Sequence, residues 1–404
     1  MNKIKKAWEI KNLGDVCKTG AGGTPLKAHK DYYKDGNIPW LLSGEVSQGE
    51  IFEAKNFITE KGLRNSSAKL FPPNTVLVAM YGATAGQVGV LRFEASTNQA
   101  VCGILPNEKT IPEYLFYCFL SKKDELVSQA VGGAQPNISQ IKIKNTKIPL
   151  PPLDEQKRIV EILDKAFTAI TKAKDNAEQN LINAKELFES YLQNIFQNKG
   201  KDWEERTLKE LTVKIGSGAT PRGGSASYKT EGISLVRSMN VHDLNFRKNK
   251  LAFIDDNQAK ALSNVTLQEN DVLLNITGAS IARCCMIPKE FLPARVNQHV
   301  SIIRAKKEVI NPSFLVLLLT SKFYKDQILF TGEQGATRQA VTKAQLEAFN
   351  VAFPKSTTEQ QAIVKKLDAL SAETKRLEAI YQQKLEDLEE LKKSILQKAF
   401  EEEL

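Results

Sequence analysis

The segment EQKRIVEILD, Glu155 to Asp164, recurs 204 residues later as EQQAIVKKLD, Glu359 to Asp368. At the same offset ELFESYLQNIF from Glu186 meets ELKKSILQKAF from Glu390, with no gap between the two matches. The first copy carries apolar residues at Ile159, Leu163, Ala166, Ile170, Ala173, Ala177, Leu181, Ala184, Phe188, Tyr191 and Ile195, a helical spacing of about 3.6 residues uninterrupted by Gly or Pro. The proline cluster in IPLPPLDEQ, Ile148 to Gln156, ends whatever precedes it and lets a helix start near Asp154. The second copy repeats the stripe with Ile363, Leu367, Leu370, Leu377, Tyr381, Leu385, Leu388 and Ile395. At about 1.5 Å per residue each helix is about 60 Å long. Two such stripes are expected to pack as an antiparallel coiled coil.

Working outward, the repeat continues upstream at a slightly smaller offset, as loop insertions produce. WEIKNL at Trp8 meets WEERTL at Trp203, KTGAGGTP at Lys18 meets KIGSGATP at Lys214, and TVLVAMYGAT at Thr75 meets DVLLNITGAS at Asp271. NQAV at Asn98 meets NQHV at Asn297, and GGAQPNIS at Gly132 loosely meets QGATRQAVT at Gln334. The order is therefore domain, helix, domain, helix: residues 1–152, 153–200, 201–355 and 356–404. TVLVAMYG and DVLLNITG read as strands closed by a glycine turn; IPEYLFYCFL and INPSFLVLLL read as helices with proline in the first turn. The fold class is α+β, two pseudo-repeated mixed domains separated by the long helices.

Charge follows the same division. Residues 1–150 carry a net +6 and 201–354 another +6, whereas 151–200 carry −1 and 355–404 carry −2. Two basic regions suit a polyanion gripped at two places. The composition, 42% hydrophobic and 25% charged, is that of an ordinary globular protein. Five cysteines (Cys17, Cys102, Cys118, Cys284, Cys285) have no C-x-x-C spacing, so neither zinc nor a disulfide framework is expected, and a reducing cytoplasm is the expected compartment. The longest aliphatic run, FLVLLL from Phe314, is too short for a membrane span.

Enzymatic chemistry lacks its groups. TGAGGTP, Thr19 to Pro25, misses the Gly-Lys-Ser/Thr of a phosphate loop, and Pro25 stands where a dinucleotide fingerprint needs its third glycine. His29, His242 and His299 are scattered, with no metalloprotease or serine-nucleophile motif around them. NPSF at Asn311 faintly suggests a base-flipping methyltransferase motif, but its repeat partner IPEY makes it a proline-started helix. No catalytic residue, metal site or cofactor is expected in this chain.

Over essentially its full length the chain resembles the specificity (S) subunits of type I restriction-modification systems. The resemblance rests on the paired Gly-x-Gly-x-Thr-Pro turns, the strand–glycine elements, GGAQPNIS, the PLPPLDEQKRIV helix entry and the alternating order. The second copy departs from it, with FPKSTTEQQ at the helix entry and GATRQAVT in place of the GAQPNIS form. The resemblance implies two target recognition domains on spacer helices, double-stranded DNA as ligand, and no catalysis by this chain. It also implies two methyltransferase subunits bringing S-adenosylmethionine, and restriction subunits bringing ATP hydrolysis and cleavage. The competing reading is a DNA-bridging scaffold with two basic domains and no such partners.

Reading bases requires Arg or Lys toward guanine and Asn or Gln toward adenine, with further cations on the phosphates. Candidates in the first domain are Lys27, Lys30, Arg64, Lys69, Gln135 and Asn137. In the second they are Arg222, Arg237, Asn240, Arg247, Lys248, Arg283, Arg338 and Gln339. Asn98-Gln99 and Asn297-Gln298 recur in both domains and are expected to be structural, because two domains reading different bases should differ there. The shared Glu155-Gln156 and Glu359-Gln360 pairs are candidate docking residues for the methyltransferase.

Overall fold

The computed structural model describes residues 8–128, 137–333 and 340–401. They form two compact units, one of residues up to Ala177 together with those from Gln383 onward, the other Glu178–Gln382. The 45-residue helix Leu153–Gln197 and the 44-residue helix Thr357–Phe400 each contribute to both.

In the first unit Ile159, Val160 and Leu163, near the start of the first long helix, pack with Leu396 and Ala399, near the end of the second. Lys392 lies 5.0 Å over the Phe167 ring, and Lys174 pairs with Glu389 at 2.7 Å. In the second unit Phe188, Leu192 and Phe196 share a core with Leu367, and Lys366 lies 5.1 Å over Tyr191. Residues rising along one helix meet residues falling along the other, so the pair is antiparallel, as expected for the two apolar stripes.

Each unit repeats one plan. A two-stranded ribbon closes the domain, Glu9–Asn12 against Lys147–Leu150 in the first and Trp203–Thr207 against Asn350–Pro354 in the second, so each domain's first and last strands pair. The principal sheet of the first unit orders Thr19–Ala21, Val101–Ile104, Val76–Ala79, Val88–Leu91 and Gly49–Ile51. That of the second orders Thr212–Ser217, Val300–Ala305, Val272–Asn275 and Cys284–Met286. A second sheet in each contains a parallel pair, Ile38–Leu41 with Ala95–Thr97 and Ile233–Val236 with Ala294–Val296. The proline-started helices Pro112–Ser121 and Pro312–Thr320 form as their N1 prolines suggest. All five cysteines are buried in these cores with free thiols, and burial pushes Cys102, Cys118 and Cys285 up to about 12.

The root of each long helix is fixed by a glutamine. Gln156 is fully buried; its Oε1 accepts from the Ile111 N–H at 3.1 Å, and its Nε2 donates to the carbonyls of Lys109 and Pro151, both at 2.9 Å. Gln360 is also fully buried, accepting from the Asn311 N–H at 2.7 Å and donating to Val309 at 3.0 Å and Pro354 at 2.9 Å. The expectation that these two glutamines face a partner is therefore corrected: their amides are spent inside, tying the helix start to the turn before the proline-started helix. Glu359 remains exposed, and Glu155 is half-buried beside Arg158 at 2.8 Å.

Replacing Gln360 by Leu keeps the bulk but strands one N–H and two carbonyls, so the second unit should lose about 3 kcal/mol. Denaturant unfolding of the full chain checks this, and an unshifted midpoint would reject the clamp.

Candidate nucleic-acid interface

The paired glycine turns pack against backbone. In the first unit the Gly22 N–H donates to Val101 at 3.1 Å, the Gly23 N–H to Thr97 at 2.9 Å, and Trp40 Nε1 donates to the Gly23 carbonyl at 3.0 Å. A Cβ on Gly22 would lie 2.3 Å from the Asn98 carbonyl oxygen, and one on Gly23 2.3 Å from the Ala68 nitrogen. In the second unit the Gly218 N–H donates to Asn297 at 3.1 Å, and a Cβ there would meet the Val296 oxygen at 1.8 Å. These glycines are dictated by close approach of two backbone segments. The following threonines complete the joint: Thr24 bonds Gln99 and Thr220 bonds Gln298. Asn98 Oδ1 accepts from the Ala100 N–H at 3.2 Å and Asn297 Oδ1 from the His299 N–H at 3.0 Å. All four recurrent Asn and Gln residues thus hold the same turn in both units.

Around this joint the first unit leaves Lys27, Lys30, Arg64 and Lys69 exposed. Lys27 and Lys30 flank His29, whose ring stacks on Tyr32 at 4.8 Å, while Lys61 pairs with Asp31 at 2.5 Å and pins the same loop. Arg64 ends a short helix, Glu60–Arg64, 3.7 Å from Glu60. Asn137 is exposed and bridged through its backbone to Tyr81, just before the glycine that closes the central strand. That glycine, Gly82, has φ +70° and its counterpart Gly278 φ +69°, with open space around either Cβ, so backbone conformation alone selects glycine. Gln135, Arg338 and Gln339 lie outside the described residues.

In the second unit Arg222, Arg247 and Lys248 are exposed and Arg283 is half-buried. Arg237 is partly spent: its guanidinium lies 5.3 Å over the Tyr228 ring and donates to the Lys250 carbonyl. Asn240 is corrected from a base reader to a buried residue, fully enclosed, with its Nδ2 donating to the carbonyls of Arg247 at 2.8 Å and Asn249 at 3.4 Å. His242, which sequence reasoning passed over, sits among the cations. Burial first, and the charges of Arg247 and Arg283 second, hold its imidazole below the usual range, against a hydrogen bond to the Met239 backbone and the Asp243 carboxylate. Nothing in the spacing of HDLNFR signals that meeting, because Arg283 arrives from a distant turn.

A family model for the type I restriction modification DNA specificity domain matches residues 5–179 and again 200–387. The chain belongs to that family. Its function is the recognition of a DNA sequence. It is 25% identical over 353 residues to the type I restriction enzyme MjaIX specificity subunit of Methanocaldococcus jannaschii, covering 82% of this chain and 79% of that protein. Against the EcoKI specificity subunit of Escherichia coli K12 it is 23% identical over 428 residues, covering 100% and 90%. A 28% match to the EcoR124I/EcoR124II specificity subunit of Escherichia coli spans 46% of this chain and only 48% of that protein. The HsdS subunit of Thermoanaerobacter tengcongensis shares the fold with a TM-score of 0.69 at 19% identity, covering 100% of this chain and 98% of the other. A chain from a structural study of assembly and conformational transition in a type I R-M system does so at 0.75 and 20%, with full coverage of both.

A phosphate backbone, were it to lie beside Arg247 and Arg283, would offset their repulsion of the His242 proton. The imidazole pKa then rises on binding toward its ordinary value, a proton is taken up, and the affinity of this specificity subunit for duplex DNA should increase as pH falls below about 6.5. Fluorescence anisotropy across that range checks it: the His242→Gln chain should lose the added gain, and an equal gain in both would reject the coupling.

Proposed function

We propose that this chain reads a bipartite, gapped DNA site, one half-site for each domain, and brings methyltransferase and restriction subunits to it. The observation that carries the reading is the duplication itself. Two copies of one DNA specificity domain, each with its own set of exposed basic residues, alternate with two helices of conserved length. Pseudo-identical readers on a fixed spacer recognise paired half-sites at a fixed gap.

The domain limits are 1–152 and 201–355, with spacers 153–200 and 356–404. Lys27, Lys30, Arg64, Lys69, Gln135 and Asn137 address one half-site. Arg222, Arg247, Lys248, Arg283, Arg338 and Gln339 address the other, with Arg237 holding a phosphate-side loop. The outward faces of the long helices, including Glu155 and Glu359, receive two methyltransferase subunits in the cytoplasm. Those partners supply the chemistry, methyl transfer from S-adenosylmethionine and ATP-driven cleavage, while this chain chooses where it happens. The names of the relatives, all specificity subunits of type I restriction enzymes, support the assignment.

Mapping methylated adenine across the host genome with and without this gene tests the reading. Deletion should abolish one bipartite, gapped motif; an unchanged map would reject it. On duplex DNA, Arg247→Ala with Lys248→Ala should lower the slope of log affinity against log salt by about 2, roughly one for each phosphate that is no longer neutralised.

A further inference from the structure

Leu41 and Val236 are equivalent, since each accepts the N–H of the recurrent asparagine, Asn98 or Asn297. Four residues on from each stands a buried polar side chain, Glu45 at 6% exposure and Asn240 at 0%. Both accept the N–H of the residue three before them, Leu42 to Glu45 at 2.7 Å and Arg237 to Asn240 at 3.0 Å. Both also reach across the following loop of about ten residues, but with opposite hydrogen-bonding sense. Glu45 accepts the Lys55 N–H at 3.0 Å, whereas Asn240 donates to the carbonyls of Arg247 and Asn249.

In the second unit the segment Arg247–Lys250 is held through its backbone. The Arg247 N–H donates back to the Asn240 carbonyl at 2.8 Å, the Leu251 N–H donates to Lys248 at 2.9 Å, and Arg237 takes the Lys250 carbonyl. With these carbonyls turned inward, the side chains of Arg247, Lys248 and Lys250 are all exposed. The first-unit loop differs in kind: it displays Glu50, Glu53 and a 69%-exposed Phe52, and Glu50 is bound by Arg92.

We propose that Asn240 is a positioning residue for DNA binding, whose buried amide pre-orders the cationic segment Arg247–Lys250 against the phosphate backbone. The inference rests on the DNA-reading role proposed above. A flexible run of cations must lose conformational freedom on binding; a run already fixed from beneath does not. Asn240 touches no DNA itself. Its role is specific to the second unit, because the loop that Glu45 orders displays Glu50 and Glu53 beside a single exposed cation, Lys55.

The test uses the full-length chain assembled with its host methyltransferase and a fluorescent duplex carrying the motif found by methylation mapping. Asn240→Asp keeps the shape but cannot donate to the two carbonyls, and should weaken binding about tenfold. In the Arg247→Ala/Lys248→Ala/Lys250→Ala background the same change should weaken it no further. Unchanged affinity for Asn240→Asp, or an equal tenfold loss in both backgrounds, would overturn the inference. A wild-type complex that binds this duplex no better than an unrelated one would instead overturn the DNA-reading role itself. Amide exchange needs no variant: in the DNA-free chain the Arg247 and Leu251 N–H groups should already be protected, and fast exchange at both would also overturn the proposal.

Discussion

The start of each long helix takes its rotational phase from one buried amide at its root. Gln156 and Gln360 each bind three backbone groups, and those groups lie just before a proline-started helix and at the end of the ribbon that closes the domain. A helix advances about 100° per residue, so fixing the root decides which side chains face the partner helix over the turns that follow. One inserted residue between Gln360 and Leu367 would swing Leu367 off the core it shares with Phe188 and Leu192. That constraint accounts for the single 204-residue offset over both helical segments, while the domains between them drift in length.

Periodicity and repetition made the scaffold legible. The apolar stripes named the helices, the matched TVLVAMYG and DVLLNITG named the central strands, and the recurrent Asn-Gln pairs were readable as structure because both copies kept them. What stayed hidden was burial of polar side chains. Gln156, Gln360 and Asn240 looked like surface residues because amides usually are; only the fold shows each enclosed among the backbone carbonyls to which it donates. Glu45 drew no attention, since its equivalence to Asn240 shows in hydrogen bonds and not in letters. The Arg283–His242–Arg247 meeting was invisible for another reason: it joins two loops that share no pattern.

The two units diverge inside as well as outside. Asp271, with its side chain 1% exposed, takes Arg304 at 2.7 Å, where the first copy has Thr75 and Leu105. Asn275 replaces Ala79 and donates to Ser238 at 2.9 Å and Val241 at 3.4 Å, the backbone on either side of Asn240. A buried donor left without its acceptor costs about 1–3 kcal/mol, so each such residue binds the loop above it to one conformation.

Loop shape in the second unit is therefore written partly into the sheet beneath. Asn275 on the central strand and Asn240 in the turn both spend their amides on loop carbonyls, and neither has a counterpart of the same chemistry in the first unit. Exchanging only the exposed letters of the loop, Arg247 and Lys248 among them, would leave their backbone held as before. Exchanging the buried amides would release the backbone while leaving the letters in place. The two units differ in both sets: Asn240 stands where the first has Glu45, Asn275 where it has Ala79, and exposed cations where it displays Glu50 and Glu53.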